Sequence, residues 1–230
     1  MKDILFSSVF LGVFISLLGY ELGVLLKKKF KLAVLNPLLI AIIFVIAALR
    51  LLKIDYQTYY DGAQYLSYLL TPATVCLAVP LYEQLTALKH HWKAILAGTV
   101  SGVLASLTSI LILARLFSLS HEQYVTLLPK SITTAIGMGV SEELGGIVTV
   151  TVAVIIITGI LGNIIAEVVC KLFKIEAPIA KGLALGTAAH AIGTVKAMEM
   201  GEVEGAMSSL AIAVSGLLTV VGASIFAQFM

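Results

Sequence analysis

Residues 129–146 read PKSITTAIGMGVSEELGG. Lys130, Ser131, Thr133, Thr134, Ser141, Glu142 and Glu143 stand there among four glycines and one proline. Directly downstream runs Ile147–Leu172, an apolar segment long enough to cross a bilayer. Polar, helix-breaking sequence at membrane depth is costly unless it is buried in protein or lines a water-filled cavity. A chain that keeps such a segment is expected to bind or pass something polar with it.

The rest of the chain supplies the membrane. Its 230 residues are 60% hydrophobic and 12% charged, with a mean hydropathy of +1.06. That composition lies outside the soluble globular range and reads as an all-α polytopic membrane protein. A span needs roughly 20 apolar residues. The length therefore allows about seven spanning helices plus a re-entrant or broken element, in one integral membrane domain over residues 1–230. No stretch is left for a soluble domain, and the net charge of +2 points to no nucleic-acid partner.

Working outward, the spans are Ile4–Leu26, Ala33–Leu52, Ala94–Ala114, Ile147–Leu172 and Ala206–Phe229. The first is too long for a signal-peptide core and is followed directly by lysines, so it reads as a retained helix. Asn36-Pro37 opens the second, where proline is tolerated. Tyr65–Tyr82 carries Pro72 and Pro80 and reads as a span broken in the middle. Lys181–Met198 (KGLALGTAAHAIGTVKAM) is rich in glycine, alanine and threonine around His190, and reads as a second broken or tightly packed element. Lys89-His90-His91-Trp92-Lys93 reads as a basic loop. Adjacent histidines do not share a helix face, and Cys76 and Cys170 make no metal spacing. Neither a metal site nor a cofactor is expected.

Short cytoplasmic loops carry the excess of lysine and arginine. Clusters at 27–31, 89–93 and 171–174 share one side only if residues 121–145 do not cross. The charge rule therefore makes that segment re-entrant, with the N-terminus outside and the C-terminus inside. Val100–Leu104 (VSGVL) recurs as Val214–Leu218 (VSGLL), 114 residues later, in spans that this topology runs in opposite directions. The match suggests inverted repeats 1–116 and 117–230, a pattern in which interrupted segments mark the substrate site.

The chemistry is concentrated at the breaks. A broken helix exposes unpaired N–H groups that favour anions. Ser131, Thr133, Thr134, Thr187 and Thr194 offer hydroxyls, and Lys130 and His190 offer positive charge. His190 titrates near physiological pH and, with Glu142, is the candidate for proton coupling. No hydrolase, P-loop or dinucleotide fingerprint occurs, so no enzyme is expected.

With Pro129-Lys130-Ser131, Thr133-Thr134, Ser141-Glu142, Gly145-Gly146, the run Gly182–His190, Ile192-Gly193-Thr194 and Glu204-Gly205-Ala206, the chain resembles the LrgB/CidB family of bacterial membrane proteins. The resemblance covers the whole length and is strongest over 129–206. Ala135 stands where that family commonly has proline, and Ala191 where it commonly has glycine. The resemblance implies two functions. One is holin- or antiholin-like modulation of murein hydrolase activity and autolysis, with a small LrgA/CidA-type membrane partner. The other is transport of small carboxylates such as pyruvate, with plastid relatives moving glycolate and glycerate. Homo-oligomers are in the family's habit, and the expected location is the inner (cytoplasmic) membrane. Paired broken segments with buried hydroxyls, histidine and glutamate fit a substrate site better than a plain pore. The expectation is a proton-coupled transporter of pyruvate-, lactate- or glycolate-like carboxylates, with the autolysis modulator as the alternative.

Overall fold

The computed structural model describes residues 10–30, 32, 35–69, 72, 75–76, 78–83 and 85–230. Among these residues all regular structure is helical, in two compact units, Met1–Cys76 and Leu77–Met230. Among the described residues four helices are long and apolar enough to cross a membrane, and Pro37–Leu52 is a shorter apolar helix; the expected count of about seven spans is not confirmed.

In the first unit, α1 (Phe10–Phe30), α2 (Pro37–Leu52) and α3 (Tyr56–Ala63) precede a 3-10 turn at Gln64–Leu69. The Asn36 side chain caps α2 by accepting from the Leu38 N–H at 2.9 Å. Gly19 and Gly23 of α1 lie against Ala41 and Pro37 of α2, and Gly12 lies against Tyr59 and Gly62. The absent side chains let these backbones approach, so Gly19-x-x-x-Gly23 serves packing within the chain. Of the stretch 72–80, where a break is expected, residues 73, 74 and 77 lie outside the described residues, and the described ones are helical.

The second unit holds α4 (Ala78–Glu83), α5 (Leu85–Leu116), α6 (His121–Leu127), α7 (Thr134–Glu143), α8 (Val148–Leu172), α9 (Pro178–Met200) and α10 (Glu202–Phe226), with a 3-10 turn at Ala227–Phe229. The basic stretch 89–93, expected as a loop, is helical and kinks at His91.

Two elements fold back on themselves. Helix α9 breaks at Ala189 (φ −131°, ψ 15°) and His190 (φ 41°, ψ −140°). Eight helical residues span roughly 12 Å, yet a Cβ placed on Gly193 would lie 2.7 Å from the Leu185 carbonyl oxygen. Leu185 and Ala197 share one apolar cluster with Ala166, and Lys181 and Met200 line one cavity. Residues 178–188 therefore run in, and 191–200 run back beside them. Residues 121–143 do likewise. A Cβ on Gly137 would stand 3.5 Å from the Pro129 carbonyl, and Thr151 Oγ1 lies within hydrogen-bond distance of both the Thr126 carbonyl (2.9 Å) and Ser141 Oγ (2.7 Å). The turn between the arms, 128–133, interrupts any straight helix through Pro129–Gly146, in agreement with the broken element expected there.

The two hairpins enter from opposite ends of α10. At its far end, Tyr124 Oη of α6 donates to the Phe226 carbonyl (2.9 Å), and His121 Nδ1 donates to the Met230 carbonyl (2.7 Å). At its near end, Gly182 lies on the Glu204 carbonyl and Gly186 on the Ser208 carbonyl. Helix α8 starts beside α6, where Thr126 Oγ1 accepts from the Ile147 N–H (2.8 Å), and ends at the loop into α9. It therefore runs against α10.

Two expectations about direction are corrected. Ile95 clusters with Met207, Leu107 meets Gly222, and Arg115 Nη2 donates to the Phe229 carbonyl at 2.9 Å. Helices α5 and α10 are thus parallel, so the VSGVL/VSGLL match joins spans running the same way and marks no inversion. The C-terminus also lies at the end opposite Lys171, Lys174 and Lys181. Because Lys181–Met198 returns to the end it came from, only one crossing, α10, follows those lysines.

Candidate functional site: a hydroxyl-lined cleft between the hairpins

A cleft of about 930 Å³ lies between α5, the entering arm of α9 and the tip of the first hairpin. It runs from Ala94 and Ala177, at the lysine-bearing end, to Lys130 and Ser131. Its α5 wall is Gly98, Ser101, Gly102, Ala105, Ser106 and Ser109, spaced so that all fall on one helical face. Facing them on α9 are Ala180, Ala184, Thr187 and Ala188. A Cβ on Gly102 would come within 2.9 Å of Thr187 Oγ1, and one on Gly98 within 3.0 Å of Leu183 Cδ1. Gly98-x-x-x-Gly102 therefore packs within the chain as well.

At the hairpin tip Lys130 Nζ donates to Ser131 Oγ at 2.9 Å, and Ser131 Oγ pairs with Ser106 Oγ at 3.1 Å. Ser131 is buried and Lys130 partly so. Among the described residues no carboxylate pairs with Lys130, and no acidic side chain lines the cleft. Ser101, Ser109 and Thr187 donate to the carbonyls of Gly98 (2.9 Å), Ser106 (2.8 Å) and Leu183 (2.7 Å), which leaves their oxygen lone pairs available to the cleft. The first turn of α7 starts at the same hairpin tip, and Thr133 makes no side-chain cap there.

Of the substrate residues expected from sequence, the fold brings Lys130, Ser131 and Thr187 to the cleft. Thr133 and Thr134 stand just beyond its lining. His190 is buried with its ring turned toward α8, where Nε2 lies 2.9 Å from the Ile155 carbonyl and the ring rests on Gly159. A carbonyl only accepts, so Nε2 carries the hydrogen. Thr194 Oγ1 lies 2.7 Å from Ser208 Oγ of α10 and donates to the His190 carbonyl at 3.1 Å. Asn163 Nδ2 of α8 donates to the Ile192 carbonyl in the first turn of the returning arm (3.1 Å). Lys196 Nζ pairs with Glu167 (2.6 Å) and Glu199 (3.2 Å). These contacts hold the returning arm to α8 and α10. Glu142, the other candidate for proton coupling, is exposed and does not line the cleft.

Ser101, Ser106 and Ser109 are not among the residues expected from sequence. The signal was available: small residues at 98, 101, 102, 105, 106 and 109 repeat with helical period inside an apolar span, a pattern that lipid contact does not require.

Long apolar helices, two reversing helical segments and a cleft holding one cation among hydroxyls define an α-helical integral membrane protein with an internal polar site. The chain belongs to the LrgB-like family, whose model matches residues 16–229. It is 38% identical over 221 residues, 96% of each chain, to the antiholin-like protein LrgB of Bacillus mycoides (strain KBAB4), and equally similar to that of Bacillus cereus (strain B4264). No solved structure matches the chain.

Proposed function

We propose that this protein is a transporter of small carboxylates of the pyruvate, lactate or glycolate type in the cytoplasmic (inner) membrane. One observation carries the reading: among the described residues Lys130 is the single charged group lining the cleft, surrounded by hydroxyls and faced by no acid. A cation at membrane depth without a protein counter-ion favours an anionic guest. A cleft of about 930 Å³ holds such a molecule with water to spare.

The scaffold supports alternating access. The first hairpin with α8 (121–172) and the second hairpin with α10 (178–226) enter from opposite ends, and their long helices run in opposite directions. Inverted repeats would be arranged in this way, with the substrate site at the meeting of two interrupted segments. It replaces the 114-residue repeat as the candidate symmetry. By the charge rule the lysine-bearing end is cytoplasmic.

The name of the relatives supports a second reading, in which the protein acts as an antiholin-like modulator of murein hydrolase activity, with a small LrgA/CidA-type partner or as a homo-oligomer. Proteoliposomes separate the two. Saturable uptake of labelled pyruvate, lactate or glycolate that excludes unrelated solutes supports the transporter. Leakage of solutes regardless of charge supports the pore-related reading and ends the first.

A further inference from the structure

We propose that Lys130 is itself the coupling group: its amine takes up a proton as the carboxylate binds and gives it up on release. This assignment rests on the carboxylate reading above and moves the coupled proton away from Glu142 and His190.

The geometry carries it. Lys130 Nζ has a hydroxyl partner, Ser131 Oγ, and no carboxylate partner among the described residues. Partial burial among mostly apolar walls, without a counter-ion, makes the ammonium form less favourable than it is in water. A carboxylate seated against Nζ offsets that penalty by direct Coulomb attraction. Anion binding and proton binding at Nζ therefore reinforce each other, and the coupling is reciprocal. The step balances simply. A proton from the aqueous phase adds to the nitrogen lone pair, the substrate stays an ionised carboxylate, and the bound pair is neutral. On release the same proton returns to water.

Among the described residues no other titratable side chain faces this nitrogen. The α5 wall presents Ser106 and Ser109, and the α9 wall presents Thr187 and Ala188. The α7 arm presents Thr133 and Thr134 near the tip, while Glu142 and Glu143 lie at its other end, about 12 Å along the helix axis. On α9 the His190 ring points to α8 and is bonded to the Ile155 carbonyl.

The test adds pyruvate to the purified full chain in weak buffer containing a pH-indicating dye, from neutral to mildly alkaline pH, with binding followed in parallel by calorimetry. The expected result is uptake of up to about one proton per pyruvate bound. Lys130→Arg, whose charge is permanent, should bind pyruvate without proton uptake, and Lys130→Gln should lose binding. Glu142→Gln and His190→Gln should keep the proton signal. Pyruvate binding by the unmutated protein with no proton uptake at any pH overturns the proposal and leaves the carboxylate reading standing. So does proton uptake that persists in Lys130→Arg or disappears in Glu142→Gln. Failure of the unmutated protein to bind pyruvate, lactate or glycolate overturns both.

Discussion

Gly193 sits on the carbonyl of Leu185, eight positions earlier in the same helix. A Cβ on it would lie 2.7 Å from that oxygen and 2.7 Å from the Ala189 side chain. The contact exists because the chain reverses at Ala189–His190, and the reversal puts the entering arm on the cleft and the returning arm against α8.

Gly193→Val should therefore destabilise the protein by roughly 1–3 kcal/mol, since overpacking at a closed contact forces backbone shifts. Gly139 is the control. It is exposed on α7, and a Cβ added to it would meet nothing within 4 Å, so Gly139→Ala should be neutral or stabilising by roughly 0.5–1 kcal/mol. Thermal unfolding in detergent, on both variants in parallel, measures the difference. Equal midpoints would mean that the two arms do not touch.

Ser106 is the α5 partner of Ser131. Ser106→Ala removes one neutral hydrogen bond beside the amine, a loss of roughly 0.5–1.5 kcal/mol. If the hairpin tip is part of the substrate site, the apparent affinity for the transported carboxylate should fall about two- to tenfold. Uptake kinetics in proteoliposomes check this, and an unchanged half-saturation concentration would put Ser106 outside the site.

His190 holds the reversal through the Ile155 carbonyl and carries a positive φ of 41°. His190→Leu should cost about 1–3 kcal/mol, because a branched side chain is strained at that φ and the buried hydrogen bond is lost. His190→Gln keeps a donor and should recover part of that loss. A stability ranking of wild type, then Gln, then Leu, with the response of transport to a pH gradient intact in the Gln variant, identifies a structural histidine. Loss of that response with unchanged stability would return the proton to His190.

The direction of α10 gives a topological prediction. An accessible tag placed after Met230 and another inserted in the 173–177 loop should be reached by impermeant reagents from opposite faces of the membrane, the loop from the cytoplasm. Labelling of both from one face would restore a crossing at 178–200 and contradict the hairpin.

Much of this protein is legible along the chain. Composition and unbroken apolar runs require membrane helices, because an unpaired backbone in lipid is too costly for any other short-range solution. Pro129, the glycines and the hydroxyl residues mark the first interruption, and the glycine-, alanine- and threonine-rich run around His190 marks the second. Lys130, Ser131 and Thr187 follow from those marks. Tertiary structure alone decided the direction in which the chain leaves each break. Hydropathy and period are the same for a helix that continues and for one that turns back, so Lys181–Met198 reads equally well as a crossing or a hairpin. What selects the hairpin is non-local: the Gly182 and Gly186 contacts with α10, the Thr194–Ser208 pair, and the bonds that join Asn163 to Ile192 and His190 to Ile155. Those same contacts turn His190, Thr194 and α9's returning arm away from the cleft. They leave Lys130 as the one charge among its described lining residues, a placement that local sequence cannot encode because the partners lie tens of residues apart.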